Sequence, residues 1–436
     1  MSITVIALIL LVLMTFLLLM GIWIPAGVAI TAWFGLAVFS DKDTMMNLAN
    51  VWWNSSSSYT LASLPLFVWM GEILFRTKLS EQMFTGLSPW LNWLPGRLMH
   101  VNILGCGIFG SVSGSSAATC ATIAKSALPE LTKRGYDEKI TLGSLSCAGT
   151  LGILIPPSIT MVVYAVAADQ SIIRIFLAGF IPGAILMGLF SGYIIVWALL
   201  NPDKTPPAEK YSWQQRIHSI GQLIPCTALI IFIAWLMLAG YSTATEAAAY
   251  GVVGSLILAA AGRNLSWSNF WQSLLSATRL TAMIMFVLGA TSFLSIVMSY
   301  TGIPRGLAEW VQSMYLSPWA LIFVLTIIYI LLGTALDGIS MIALTTVTVL
   351  PMVQQAGFDL VWFGIFIVLL VEIAEVTPPV GFNLFVLQSM TGKDSNYIAK
   401  VSLPFFGMMV LAVALITIWP DLVTWLPDQF LQKEIK

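Results

Sequence analysis

The sequence has very little charge. Only 9% of its 436 residues are Asp, Glu, Lys or Arg, against roughly 25% in an ordinary soluble protein. The 20 acidic and 19 basic residues nearly cancel, so the chain has no basic excess with which to bind nucleic acid. With 58% hydrophobic residues and a mean hydropathy of +0.91, it also cannot be a disordered or solenoid protein, whose surface must be wetted by charge. These scarcities predict a polytopic membrane protein whose surroundings are lipid.

Histidine and cysteine are also scarce. His100 and His218 stand at the ends of apolar segments, without the spacing of a zinc or haem site. The four cysteines lie in apolar segments without a CxxC pair and are expected to be small buried hydrophobic residues. No histidine lies inside a predicted span, and no paired catalytic motif appears, which disfavours an intramembrane protease or lipid transferase. We therefore predict that the chain is not an enzyme and has no organic cofactor. A channel is also disfavoured, because the sequence contains no repeated motif typical of a pore filter.

The N-terminal segment contains no charge at all. Residues 3–39 are uncharged, which is too long for one span of about 20 residues, so the segment predicts two spans. Gly21 and Pro25 mark the turn between them. A cleaved signal peptide would begin with basic residues, whereas the first basic residue here is Lys42. We expect residues 1–40 to be a retained helical hairpin.

The two halves of the chain resemble each other. Residues that punctuate secondary structure recur at a constant separation of 222 positions: Pro129 with Pro351, Asp137 with Asp359, Pro156-Pro157 with Pro378-Pro379, and Pro182 with Pro404. Such matches along one diagonal indicate an internal repeat. The sequence therefore predicts a first repeat over residues 1–205 and a second over 219–436. A Pro-rich hydrophilic segment, 206–218, is predicted to be a cytoplasmic linker between them.

The charges of matched loops predict that the halves lie in opposite orientations. Residues 131–140 contain three basic residues, whereas the matching residues 352–361 contain none. Conversely, residues 391–400 contain two lysines and their counterpart 168–174 a single arginine. Because basic residues concentrate in cytoplasmic loops, matched loops are expected on opposite sides of the membrane. This pattern is typical of an inverted-topology repeat, and it puts both termini outside the cytoplasm.

The predicted fold is an all-α polytopic membrane protein with two inverted-topology repeats. Each repeat is expected to have about five transmembrane helices and one re-entrant helical hairpin. In the first repeat, the hairpin covers residues 98–130 and a broken helix covers 140–167. In the second, the hairpin covers 318–354 and the broken helix 360–390.

Helix breakers stand at four matched places within the membrane. Two are the hairpin tips, at residues 109–119 and 331–340, and two are the double-proline breaks, at 148–160 and 371–383. Unpaired backbone groups are tolerated at this depth only where they line a cavity within the protein. Gly and Ser clusters also serve close helix packing, but four breaks in symmetric positions favour a transporter binding site. There, exposed carbonyls can bind Na⁺ and helix N-termini can attract a carboxylate.

A few carboxylates fall inside predicted spans. Each would cost about 2.5–3.5 kcal/mol if unpaired at mid-membrane depth, so each is expected to face a cavity, pair with a cation or be protonated. Glu372 and Glu375 share a helix face before the second break. Asp337 lies in the second tip and is expected to be functional, with a helix cap as the alternative. Glu72 lies in the third span, and for Glu246, in STATEAAA, a cap is at least as good an interpretation.

Four motifs carry a resemblance that covers essentially the whole chain. These are GSVSGSSAAT, GTLGILIPPS, the LDG tip and TPPVGFNLFVL. They resemble the large membrane (transport) subunit of tripartite ATP-independent periplasmic (TRAP) transporters. The resemblance implies an elevator-type secondary transporter of the bacterial inner membrane, in which a Na⁺ gradient drives the uptake of organic acids. It also implies a small four-helix membrane subunit and a soluble periplasmic substrate-binding protein as partners, and we expect the small subunit to be a separate chain.

The same resemblance implies site residues. The expected substrate-binding residues are Ser111, Ser113, Ser116 and Asn383, to which we add Glu375 as a departure of this chain from the family pattern. The expected Na⁺ ligands are Ser113, Ser115, Gly149, Thr150, Gly333, Thr334, Asp337, Gly338, Val376 and Thr377. Many members have a glycine and an apolar residue where this chain has Ala374 and Glu375, and the extra carboxylate would suit a zwitterionic or partly cationic solute. The alternative function is a stand-alone proton- or sodium-coupled carrier of similar layout, which activity without a binding protein would favour.

Overall fold

The computed structural model describes residues 3–209, 211–313, 317–334, 336–379 and 381–431. In these ranges the chain is α-helical, with two short 3₁₀ turns at Tyr59–Ala62 and Pro202–Lys204. The helices are α1 (Ile3–Leu19), α2 (Ile24–Phe39), α3 (Thr44–Ser56), α4 (Ser63–Phe75), α5 (Leu79–Leu91), α6 (Met99–Ser113), α7 (Ser116–Lys133), α8 (Glu138–Ala148), α9 (Leu151–Leu154), α10 (Ile159–Ala167), α11 (Ile172–Leu200), α12 (Trp213–Leu238), α13 (Ala244–Ala261), α14 (Trp267–Thr301), α15 (Ile303–Ser313), α16 (Pro318–Gly333), α17 (Gly338–Gln355), α18 (Leu360–Glu375), α19 (Phe382–Thr391), α20 (Ser395–Ile418) and α21 (Asp421–Leu431).

Several helices are long and apolar enough to cross a membrane. Among the described residues, 6 helices meet this condition alone, namely α11, α12, α13, α14, α17 and α20. Two bent pairs raise the number to 8: α3 with Tyr59–Phe75, bent by 55°, and Glu138–Leu154 with α10, bent by 44°. The predicted N-terminal hairpin is formed by α1 and α2, and Gly21 adopts a φ of 77° at the turn, a conformation that favours glycine. The prediction of an all-α polytopic membrane protein is confirmed.

The four predicted helix breaks are present. In the first tip, α6 ends at Gly114, whose φ of 61° forms a left-handed cap, and α7 begins two residues later. The second tip separates α16 from α17. The first double-proline break separates α9 from α10, the second separates α18 from α19, and both proline pairs contain a cis peptide bond. Ala335 in the second tip and Val380 in the second break lie outside the described residues, as does Lys210 of the linker.

The two broken spans run in opposite directions past each other. At one end, the Tyr164 hydroxyl of α10 donates to the Leu360 carbonyl, at the start of α18, over 2.6 Å. At the other end, Lys393, which follows α19, lies 2.9 Å from the Glu138 carboxylate at the start of α8. The start of each broken span therefore lies beside the end of the other, as inverted halves require. The division of the chain at residues 205 and 219 stays a prediction.

The hairpins pack on the broken spans in a crosswise manner. The first hairpin places α6 against α9 and α7 against α19, while the second places α16 against α18 and α17 against α10. Each hairpin thus contacts its own half and the break of the other half. Helix α18 lies at the centre, because every residue from Val361 to Ala374 is buried.

A second group of helices packs around α14, which is 35 residues long. Helices α2, α3 and α4 pack on α14, α13 packs on α4, and α12 packs on α5 and α13. The Trp69 indole donates to Ser273 at 3.2 Å, which ties α4 to α14. Glu72 has the cationic partner expected of an intramembrane acid, because it pairs with Arg76, which also donates to Ser276 at 2.9 Å.

Four helices, α3, α5, α15 and α21, were not predicted. They are shorter than a span and mix polar with apolar residues, so a search for span-length apolar segments misses them. Helix α12 also begins at Trp213, inside the segment predicted to be linker. A capping box fixes that start, in which Ser212 and Gln215 exchange side-chain and backbone hydrogen bonds.

Candidate functional site

Asn383 joins three of the four breaks. It lies in the first turn of α19 and is fully buried. Its amide nitrogen donates to the Ser146 carbonyl of α8 at 2.8 Å, and its amide oxygen accepts from the Ser116 hydroxyl at 3.1 Å. Ser116 begins α7 directly after the first tip. The second break, the first tip and the first broken span therefore meet at one buried amide.

Glycines allow the first tip to approach the first broken span closely. A Cβ on Gly110 would lie 2.6 Å from the Gly152 Cα, and one on Gly152 would lie 2.5 Å from the Thr119 hydroxyl. A Cβ on Gly149 would lie 3.1 Å from the Asn383 amide nitrogen. These distances are too short for a larger residue without a shift of the backbone or of Asn383. Gly149, one of the predicted ligands, therefore packs on the polar centre of the site.

The hydroxyl groups of the first tip form a small cluster. Ser113 Oγ lies 2.5 Å from Thr119 Oγ1, and the Thr119 hydroxyl donates to the Ser115 carbonyl at 2.7 Å. The oxygens of Ser113, Ser115 and Thr119 thus converge at the break between α6 and α7. Thr119 was not among the predicted Na⁺ ligands, although it is the last residue of the predicted tip 109–119. Ser111 differs, because its hydroxyl donates to the Ile108 carbonyl of its own helix at 2.8 Å; its role in substrate binding stays a prediction.

The second tip packs on the second broken span in the same way. A Cβ on Gly333 would lie 2.1 Å from the Ala374 Cβ, and one on Gly338 would lie 2.3 Å from the Val371 side chain. The Gly333–Ala374 contact resembles the Gly110–Gly152 contact of the first half, because Ala374 lies 222 positions after Gly152. In each half, a glycine of the hairpin therefore meets a small residue of the broken span.

Asp337 is the N-cap of α17. Its carboxylate accepts from the Ser340 backbone amide at 3.1 Å, which is the alternative that the sequence left open. A role in Na⁺ binding stays a prediction for this residue, whose side chain is only partly buried. The threonines predicted as ligands each donate to a carbonyl of the preceding turn at 2.6–2.7 Å, which leaves their oxygens as acceptors: Thr150, Thr334 and Thr377.

Two carboxylates beside the second break lack partners. Glu372 is fully buried, and neither of its oxygens has a hydrogen-bond partner among the described residues. Glu375 is partly exposed, and its buried Oε2 likewise has no partner there. The described ion pairs include neither residue. Burying a charge without a partner is costly, so these groups call for a cation or a hydrogen-bond donor.

The second break also exposes a helix start. Helix α19 follows Gly381, which has no side chain to cap the first amides. By contrast, Ser115 caps α7 and Ser158 caps α10. A helix N-terminus carries partial positive charge and unpaired amides. The start of α19 therefore suits an anionic group, a few residues from the carboxylate of Glu375.

Four of the predicted substrate and ion residues thus lie together: Ser116, Gly149, Glu375 and Asn383. Gly338 adjoins them, because a Cβ there would lie 3.7 Å from Glu375 Oε1. Two neighbours were missed, Cys120, which packs on Gly149, and Ser146. Both lie outside the segments 109–119 and 148–160 that marked the first tip and the first break, so the sequence offered no signal for them. Gly333 and Val376 serve packing and the end of α18 respectively, and their predicted roles as ligands stay untested.

Comparison with known proteins shows the family. The profile described as "Tripartite ATP-independent periplasmic transporter, DctM component" matches residues 8–422. The chain belongs to this family. The DctM component is the large permease of these transporters, so the resemblance drawn from the motifs is confirmed.

Individual relatives agree with this assignment. The chain is 30% identical over 387 residues to the C4-dicarboxylate TRAP transporter large permease protein of Pseudomonas aeruginosa, covering 88% of this chain and 90% of that one. It is 28% identical to the ectoine/5-hydroxyectoine TRAP transporter large permease protein of Ruegeria pomeroyi, covering 85% and 86%. The solved YdaH transporter of Alcanivorax borkumensis shares the fold, with a TM-score of 0.54 at 11% identity over 88% and 89% of the two chains. These relatives are transporters rather than enzymes, and this TRAP permease is a multi-pass protein of the bacterial inner membrane.

A crevice of about 1040 Å³ lies between α4–α5 and α7 of this TRAP permease. Its charged lining is mostly basic: Arg76, Lys78, Lys125 and Arg134, with Glu81 and Glu130. Met390, at the end of α19, also lines it. The crevice was not predicted, because its walls come from segments far apart in the sequence. Lys125, a lone cation inside the predicted hairpin 98–130, was the one sequence signal for it.

Proposed function

We propose that this permease imports a small organic acid or a related solute by sodium-coupled secondary transport. It does so with a small four-helix membrane subunit and a periplasmic substrate-binding protein. The observation that carries this proposal is the meeting of three of the four broken segments at one polar centre, through Ser116, Gly149 and Asn383. Interrupted helices from two inverted repeats form the solute and ion sites of many secondary transporters.

Sodium coupling is supported by the oxygens of the tips. Na⁺ is a hard cation that prefers oxygen ligands, as Ca²⁺ and Mg²⁺ do. Ser113, Ser115 and Thr119 bring hydroxyl and carbonyl oxygens together in the first tip. In the second tip, Asp337 and Thr334 stand on either side of the gap between α16 and α17. A bound Na⁺ at either tip would hold the hairpin against its broken span.

An elevator movement is supported by the way the helices divide. The hairpins and the broken spans pack on one another across the halves, whereas α2, α3 and α4 pack around α14, and α13 packs on α4. The crevice lies between α4–α5 of the second group and α7 of the first. In this mechanism the first group carries the solute past the second, and the crevice is the exit. The cations of the crevice, Lys125 among them, would attract an organic anion and so favour its release by this route.

Reconstituted transport tests the proposal. Proteoliposomes with both membrane subunits and the binding protein should take up radiolabelled succinate or ectoine, the solute classes of the two relatives, when Na⁺ is higher outside. Uptake should fall to background when a potassium gradient replaces the sodium gradient or when the binding protein is omitted. Uptake that ignores the sodium gradient would refute the coupling, and uptake without the binding protein would favour a stand-alone carrier.

A further inference from the structure

The carboxylates of Glu372 and Glu375 form an unsatisfied acidic pair on α18. They are three residues apart and therefore share one face of the helix. Glu372 is 0% exposed with both oxygens unpartnered in the described part of the chain, and Oε2 of Glu375 is buried and unpartnered as well. Nothing in packing requires acids here, since apolar side chains of this length would fill the same volume. Two unpaired carboxylates therefore point to a ligand that carries positive charge.

Among the described residues, no basic side chain forms an ion pair with Glu372 or Glu375. The groups that face Glu375 are Ser116 and Cys120 of α7 and Asp337 at the start of α17. Those that face Glu372 are Thr150, before α9, and Cys147 of α8. Asp337 thus adds a third carboxylate, and the neighbouring hydroxyl and thiol groups supply no formal positive charge. A cation that completes the site must come from outside the described chain.

The start of α19, on the other side of the same break, favours a negative charge, whereas Glu375 favours a positive one. The uncapped start of α19 favours an anionic group. The break folds back on itself, because a Cβ on Gly381 would lie 2.9 Å from the Glu375 carbonyl oxygen. The start of α19, which favours an anion, therefore adjoins the backbone of the residue that carries the unpaired carboxylate.

We propose that the second break recognises a solute bearing a protonated nitrogen as well as a carboxylate, with Glu375 receiving the nitrogen. This inference rests on the proposed function and narrows its substrate class from organic acids to zwitterions. Glu372, behind Glu375 on the same face, adds negative charge to the subsite. A divalent metal ion is a poorer occupant, because no group of three His, Cys, Asp or Glu side chains in the described ranges could hold one.

Binding of two matched solutes tests the subsite. Succinate and 4-aminobutyrate share a carboxylate and a four-carbon chain, but only the second has an ammonium group. We expect the purified complex of this chain with its small subunit, at fixed Na⁺ concentration and pH 7, to bind 4-aminobutyrate at least about tenfold more tightly than succinate, as measured by calorimetry. Glu375→Gln should abolish this preference, and Glu375→Asp, which keeps the charge, should retain most of it.

Matched controls separate the subsite from other roles of the carboxylate. Glu246→Gln makes the same chemical change in the capping box of α13, away from the breaks, and should leave the preference unchanged. An equal response of the native protein to the two solutes, including none to either, overturns the inference. The inference is also overturned if Glu375→Gln weakens the binding of both solutes equally, which would indicate a structural role. It is overturned as well if the substitution weakens sodium binding alone, which would make Glu375 an ion ligand. Sodium-driven uptake in the transport assay is unaffected by these failures, so the proposed function stands or falls separately.

Discussion

The two halves of the molecule break their helices at similar positions but surround the breaks with side chains of different charge. Ser115 and Asp337 are both N-caps of the second helix of a hairpin, and they are 222 residues apart. Around the first tip the polar groups are neutral hydroxyls. Around the second tip and break, three carboxylates occur: Asp337, Glu372 and Glu375. The repeat thus specifies where helices end, while the side chains of each half specify what can be bound there.

This difference matters because, in the proposed site, the inverted halves would face one solute from two sides. The neutral half offers hydrogen bonds through Ser116, and the acidic half offers charge through Glu375. Asn383 belongs to the acidic half but bonds to the neutral one, so it fixes their relative positions. A solute between them would meet two different chemical surfaces, and its orientation would be determined.

The largest expected effect tests whether the two halves are equally close packed. Gly110→Ala and Gly333→Ala each put a Cβ within 2.6 Å of atoms that cannot move freely, the Gly152 backbone and the Ala374 Cβ. Both should lower the free energy of unfolding by about 1–3 kcal/mol through overpacking. Thermal unfolding of the detergent-purified protein, followed by circular dichroism, measures the change.

Gly188→Ala is the matched control, because a Cβ at this position in α11 meets no atom within 4 Å. It should be neutral or stabilising by up to about 1 kcal/mol, from helix propensity. If Gly110→Ala unfolds at the same temperature as this control, the close contact of the first half is wrong. If only one of Gly110→Ala and Gly333→Ala lowers the stability, the two halves are not equally close packed.

The breaks could be predicted from the sequence because glycine and proline act locally. Gly114 ends α6 by adopting a positive φ. The double prolines end α9 and α18 regardless of the tertiary contacts around them, because proline cannot continue a helix. The contact between Ser116 and Asn383 could not be predicted, because it joins residues 267 positions apart. Nor could the sequence decide between the cap and the ligand for Asp337, since both use the same carboxylate.

A smaller effect separates the two caps by their charge. Asp337→Ala and Ser115→Ala both remove an N-cap, which costs about 1 kcal/mol of stability in each case. Only Asp337→Ala removes a charge, so it should raise the Na⁺ concentration for half-maximal uptake by about tenfold, in line with the loss of one charged contact. Uptake in proteoliposomes across a series of Na⁺ concentrations measures it. An unchanged sodium dependence in Asp337→Ala would exclude this residue from the ion site.

The halves also differ at the ends of α7 and α17 that lie away from the hairpin tips. Arg134, after α7, lies 2.7 Å from the Glu209 carboxylate of the linker and 3.2 Å from Glu130. The Tyr211 hydroxyl also donates to Glu209. The end of α17, at Gln355, has no charged residue to make such a bond. Among the described residues, the ion pair that reaches the linker therefore belongs to the first hairpin.

The smallest expected effect breaks this tie. The Tyr211 hydroxyl and then Arg134 hold the pKa of Glu209 below its ordinary value. A carboxyl group whose pKa is lowered on folding stabilises the protein above its ordinary pKa of about 4.3, and this contribution is lost as the pH falls through the lowered value. Glu209→Gln should therefore reduce stability by at most about 1 kcal/mol at pH 7, since the pair is partly exposed, and by less below pH 4. Arg305→Gln, which breaks the more exposed pair with Glu309 on α15, should change thermal unfolding less at either pH. A deficit of Glu209→Gln that persists undiminished in acid would show that it arises from packing of the side chain and that the ion pair does not distinguish the two hairpins.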